Sequence, residues 1–201
     1  MRHMKSPSLP RSAGFTIFEL VMVMAIIGIL AGVGVSSYKY VTAANRIAAE
    51  INAMLADVRY ARSESVREGL PVTICTSTDG LTCTGANTWQ SGWIVFSDPA
   101  GTQTAPASAS SLLRIQKSFS SSYNSTDVFN SNDGHFTALT FNREGFGTPV
   151  GPIGTNITAV VTMELKSNPA NQQWTRCMVV TAIGMASIES APASAYGSNC
   201  T

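Results

Sequence analysis

Few residues of this 201-residue chain have types and spacing suited to chemistry. Glu19 is a lone carboxylate near the start of an apolar run, "GFTIFELVMVMAIIGILAGVGV", that opens at Gly14. An ionised acid in a lipid-like setting is costly unless it is paired. A free α-amino group is the cation most readily supplied near a helix start. A cut between Gly14 and Phe15 would create one about one helical turn from Glu19. Within one chain that ammonium helps. Between chains, Glu19 paired with the amine of the next subunit would favour assembly and set its axial register.

The remaining chemistry is sparse. Cys75, Cys83, Cys177 and Cys200 form an even set, which in an exported chain suggests two disulfides. The local pairing is Cys75–Cys83 with Cys177–Cys200, and two other connectivities stay open. Zinc would need closely spaced thiolates or histidines. Here long spacers separate the pairs, and the histidines are His3 and His135. His135, in "NSNDGHF", reads as an exposed loop residue rather than a general base. No G-x-S-x-G, H-E-x-x-H or P-loop pattern occurs, so neither an enzyme nor a cofactor is expected. Asn130, Asn132 and Asp133 before Gly134 resemble the start of a calcium loop, but the later bidentate glutamate is missing. A turn, and no metal, is expected there.

Charge narrows the partners. Only 12% of residues are charged, and Arg2, Lys5 and Arg11 all precede Gly14. Beyond that segment ten basic residues face twelve acidic ones. A mildly acidic body is a poor generic nucleic-acid binder, because phosphate contacts dominate that affinity. The residual DNA candidates are Arg114, Lys117, Arg143, Lys166 and Arg176, and scattered basic residues on strands usually make a solvated face.

These residues need elements to position them. Phe15 to Val35 is a run of 21 residues in which Thr16 and Glu19 interrupt the apolar types. That is long enough for a membrane-spanning helix, and the basic residues before it predict a cytoplasmic amino end. A secretory signal peptide fits less well: the run is too long, and Ala31 and Val33 make a weak cleavage site. A plain signal anchor explains everything except Glu19. From Ser36 the pattern turns amphipathic. Val41, Ala44, Ala48, Ile51, Leu55 and Val58 form one stripe, widened by Ile47 and Met54, with Arg46, Glu50, Asp57, Arg59, Glu64 and Arg67 mainly off it. Gly69 and Pro71 stop the helix, which predicts one helix from about Phe15 to Glu68.

After Pro71 the periodicity changes to that of strands: "PVTICT", "GWIVFS", "LLRIQK", "ALTF", "ITAVVTMEL" and "RCMVVT", with "MASI" a seventh. "DPAGTQTAPASASS" and "SSSYNSTDVFNSNDG" read as loops. Trp93 is expected in the core, and Trp89 and Trp174 partly exposed. The fold class is α+β, a lollipop with one long amino-terminal helix packed on an antiparallel sheet. The divisions are 1–14 as a leader, 15–35 as the membrane or filament-core half of the helix, 36–69 as its amphipathic half and 70–201 as a β-rich head.

Basic leader, Gly14, Phe15, Thr16, Ile17, then Glu19 and a long apolar helix together resemble the class III signal of type IV pilins and type II secretion pseudopilins. "ARSESVREGLPVTIC", "WQSGWIVFSD", "LLRIQ" and "LTFNREGFGT", in this order, resemble the GspH/FimT group of minor pilins and pseudopilins. The resemblance implies cleavage after Gly14 by a prepilin peptidase, methylation of Phe15, and an assembly role for Glu19. It implies an inner-membrane precursor held in lipid through Phe15–Val35, with a periplasmic head. Its partners would be an assembly platform and other minor pilins, and its destination a pilus or pseudopilus. The helix departs from major pilins in having no proline between Pro10 and Pro71, where Gly28, Gly32 and Gly34 would supply any bend. DNA-binding members of the group carry a Gly-Arg-x-Arg motif. Here Gly184 is followed by Met185 and Ala186, so DNA uptake is the alternative to a pilus-priming or secretion role.

Overall fold

The computed structural model describes residues 14–132, 134–150, 160–181, 183–190 and Cys200, with the side chains at 33–37 and 150 left out. Residues 1–13 of the expected leader and Asp133 of the expected turn lie outside that description. The chain divides into two units, Met1–Val41 and Thr42–Thr201. Helix α1, Ile17–Glu68, runs from the first into the second. It ends where Gly69 turns to φ +68° and donates its amide to the Ser65 carbonyl at 3.0 Å. Pro71 then prevents resumption.

The second unit holds two antiparallel sheets. In chain order its strands are β1 Val72–Thr76, β2 Gly92–Ser97, β3 Leu112–Lys117, β4 Val128–Ser131, β5 Ala138–Phe141, β6 Gly147–Val150, β7 Val161–Lys166, β8 Arg176–Val180 and β9 Ala186–Ser190. A short helix, α2, covers Phe119–Ser122. The first sheet has the order β3-β2-β1-β5-β6 and the second β4-β7-β8-β9. The single sheet expected from sequence is thus two. Strand β4 lies in a segment read as loop. Its polar neighbours mask a buried Phe129, which stands opposite Leu165 of β7. Strand β6 carries Pro149, which an edge strand tolerates because one side of it has no ladder to complete.

One face of α1 serves both sheets. Ile47, Ile51, Met54, Val58 and Ala61 share a single apolar cluster with Ile74, Trp93 and Leu139 of the first sheet and Phe129, Leu165 and Met178 of the second. Trp89, expected to be partly exposed, is fully buried. It stacks on Phe136 with ring centroids 5.2 Å apart and donates Nε1–H to the Phe136 carbonyl. The buried face of α1 starts at Ala43, while Val41, placed on the stripe from sequence, is exposed.

A larger correction concerns charge. Glu50, Asp57 and Glu64, read as lying off the stripe, are all buried. They recur every seven residues, so they line one flank of the apolar face and drift slowly around it. Two sheets wrap more of the helix than the apolar stripe alone defines, and the flank goes under with it. Asp57 is answered from two sides. Trp93 donates its Nε1–H to Oδ2 at 2.9 Å, and Arg114 donates to Oδ1 at 2.9 Å. The same guanidinium stands 3.8 Å over the Tyr60 ring, a cation–π contact that fixes it across the helix. Glu64 pairs with Arg67 one turn on, which holds its carboxyl below the ordinary range.

The two sheets also meet through paired glycines. Gly147, at the start of β6, donates its amide to the Ile183 carbonyl at 2.9 Å. A Cβ on Gly184 would stand 2.4 Å from the Gly147 Cα, and Gly184 has φ +76°. Only a residue with no side chain fits that approach.

Two stability changes are expected. Asp57→Ala strands the Trp93 N–H and the Arg114 charge and should cost about 2–4 kcal/mol in chemical denaturation, while Asp57→Asn, which keeps an acceptor, should cost roughly half of that or less. Gly184→Ala combines a forbidden φ with a backbone clash and should cost about 2–4 kcal/mol by the same measurement.

Candidate functional site

The first unit presents the residues singled out for assembly. Thr16 caps α1: its Oγ1 accepts the Glu19 backbone amide at 3.2 Å. Thr16-x-x-Glu19 has the spacing of a capping box, a signal legible in the sequence itself. Glu19 sits in the first turn of α1, where a negative side chain meets the positive end of the helix dipole. Among the described residues nothing pairs with its carboxylate.

Gly14, Phe15 and the described side chains through Gly32 are exposed. Phe15 is 77% exposed and Ile17 86%, and the large apolar residues from Phe18 to Leu30 are exposed on every side of the helix. A helix that is apolar all round has no face suited to water. Among the described residues no helix is long and apolar enough to cross a membrane. The described side chains of the run stop at Gly32 and resume at Tyr38.

In the second unit the four cysteines form two bonds. Cys75 joins Cys83, with Cα atoms 5.6 Å apart, and Cys177 joins Cys200, at 5.9 Å. The first closes a loop that Asp79 organises by accepting from the Leu81 and Thr82 amides and from the Ser77 and Thr82 hydroxyls. These bonds hold the Asp79 carboxyl far below its ordinary range. The second ties Cys200 to the buried Cys177 near the start of β8.

The five basic residues proposed for DNA are dispersed. Arg114 serves Asp57. Lys166, at the end of β7, pairs with Glu164 at 2.9 Å. Arg143 pairs with its neighbour Glu144 at 3.0 Å. Arg176, on β8, donates to the Gln173 and Thr175 carbonyls. Lys117, on β3, lines a cleft of about 510 Å³ with Ser77, Thr78, Asp79, Ser118 and Ser121. Gly184 belongs to the glycine contact between the sheets rather than to a basic loop. His135 is exposed beside the buried Phe136. Among the described residues no three metal-ligating side chains gather.

The buried acids are the functional groups that sequence reasoning missed. Their seven-residue repeat was the available signal. Glu50 stands apart from the other two. It is fully buried and neither carboxylate oxygen has a hydrogen-bond partner. Burial, first, and the nearby Asp127 push its carboxyl up to about 7.

Residues 50–184 match the family model described as type II transport protein GspH, and residues 9–35 match the prokaryotic N-terminal methylation motif. Among curated proteins none matches the chain significantly. The fold is similar to that of the type IV minor pilin FimU of Pseudomonas aeruginosa. One crystal form gives a TM-score of 0.53 at 19% identity, covering 77% of this chain and 96% of that one. A second crystal form gives 0.49 at 18%, covering 75% and 98%. With the family model spanning most of the second unit and the methylation motif spanning the helix start, the chain belongs to the GspH/FimT family of type IV minor pilins and pseudopilins.

Proposed function

We propose that this chain is made as a membrane-anchored precursor, cut between Gly14 and Phe15 by a prepilin peptidase and methylated at Phe15. It is then built into the priming or tip complex of a type IV pilus. The family is structural and not enzymatic, so function here means assembly. The observation that carries the reading is the exposed, all-round apolar start of α1 with Glu19 its sole acid. Such a surface needs a covering, and a carboxylate in it needs a cation.

Cleavage supplies both the cation and the trigger. While the chain sits in the inner membrane, lipid covers the apolar run, Phe15–Val35, and the basic residues before it hold the amino end on the cytoplasmic side. Removal of that leader exposes the Phe15 ammonium near Glu19. The assembly platform then exchanges lipid for neighbouring helices of other minor pilins, and the Glu19 of one subunit meets the amino terminus of another. The head remains in the periplasm or travels to the pilus surface. The match to a type II transport family model supports a second destination, a secretion pseudopilus, built by the same steps. We do not extend the proposal to DNA, because four of the five named basic side chains have local partners.

Two measurements test this reading. Mass spectrometry of the chain isolated from its producing cell should show a start at Phe15 with one added methyl group; an intact Met1 would overturn it. Glu19→Ala should leave that cleavage intact yet lower incorporation into sheared filaments on the order of tenfold or more, the effect of losing one charge-assisted pair. Normal incorporation of the variant would exclude the pairing. Loss of the chain lowering pilus number, rather than protein secretion, separates the two destinations.

A further inference from the structure

The second unit contains an acid that its neighbours do not satisfy. Glu50 is fully buried on α1, one turn beyond Arg46. Arg46 is committed elsewhere: its Nε donates to Asp127 Oδ2 at 2.8 Å and a terminal nitrogen donates to Oδ1 at 2.9 Å. Asp127 also accepts the Asn168 backbone amide at 2.8 Å, and its own amide donates to Ser125 Oγ at 3.0 Å. One carboxylate thus joins three stretches of chain: α1, the segment before β4, and the turn after β7. Glu50 lies beside this clasp. Ser125 and Asp127 face it without meeting hydrogen-bond geometry, Tyr123 faces it from the same segment, and Arg46 approaches from α1.

The charge count of the site depends on a single proton. With Glu50 neutral, one guanidinium balances one carboxylate. With Glu50 ionised, two buried carboxylates share one guanidinium and the site carries an excess negative charge away from water, which is strongly unfavourable. Relief comes by turning Arg46 toward Glu50, which weakens its two-point hold on Asp127, or by moving Glu50 out of the seam toward water.

We propose that Glu50 is a proton-held latch: neutral, it lets Arg46 keep its two-point grip on Asp127 and closes α1 against the 123–127 and 167–169 segments; ionised, it opens that seam. The position of its titration supports this, since burial pushes the carboxyl up to about 7. The folded pKa exceeds the unfolded value, so the folded state holds the extra proton between the two. The Glu50 contribution to stability is therefore full below about pH 4.5, declines as pH rises, and is gone above about pH 7. The latch rests on the geometry of the second unit alone and not on where the chain is deployed.

The test uses the full chain in detergent micelles, wild type beside Glu50→Gln, which keeps the shape of the neutral acid and cannot ionise. Carboxyl carbon NMR should show one glutamate titrating near pH 7, absent in the variant. Between about pH 4.5 and 8.5 the folding equilibrium of the wild type should fall on the order of a hundredfold relative to the variant. At the upper pH the Asp127 and Asn168 amides should exchange faster in the wild type, after correction for intrinsic rates. A Glu50 midpoint below about 5.5, or parallel stability profiles, would overturn the proposal. Should Glu50→Gln fail to fold, the carboxyl titration of the wild type decides alone, with a midpoint near 7 required and anything in the ordinary range refuting it.

Discussion

A carboxylate cannot leave water without some answer to its charge, and α1 takes three of them under the sheets. Glu50, Asp57 and Glu64 repeat every seven residues along the flank of the apolar face that builds the core. Each is answered differently. Asp57 finds Trp93 and Arg114, Glu64 finds Arg67, and Glu50 finds no hydrogen-bond partner, so burial pushes its carboxyl upward. Those answers come from different distances along the chain. Arg67 is local, while Trp93 and Arg114 arrive on neighbouring strands β2 and β3. The acids therefore specify as well as tolerate the fold: α1 rotated or slid by one turn would leave Asp57 without its partners. An apolar face alone would accept several registers against two sheets, whereas hydrogen-bonded charges accept one.

This explains what could be read from residues and what could not. The helix, its stop at Gly69, and the strands rich in Val, Ile and Phe follow local rules, and each of those strands has a counterpart in the sheets. Strand β4 was hidden because Asn130 and Ser131 beside Phe129 carry the marks of a turn, and only pairing with β7 makes a strand of them. Strand β6 was hidden by Pro149, whose tolerance depends on being at an edge. Burial of Glu50 and Asp57 was not a local property either. It follows from how much of the helix circumference two sheets enclose, and a helical wheel drawn against one sheet places them at the margin. Trp89 belongs to the same class, since its burial depends on Phe136, which lies 47 residues away.

The same rule, applied along the whole of α1, separates its two halves. In the second unit Asp57 and Glu64 are paired by groups of the same chain, while Glu50 is buried without a hydrogen-bond partner and its carboxyl is pushed up by burial. In the first unit the apolar side chains are exposed and Glu19 has no partner among the described residues. Its capping position satisfies a backbone amide through Thr16 but not the charge itself. The exposed apolar surface and the acid without a described partner are what the proposed assembly would complete. Lipid completes the apolar surface and does nothing for the acid. An ammonium held in the same apolar environment completes both, since the low dielectric that penalises an unpaired charge strengthens a paired one. In the reading proposed above, the free amino terminus of a neighbouring helix would be that cation. On that proposal, the spacing between Phe15 and Glu19 would convert an electrostatic need into an axial step from one subunit to the next.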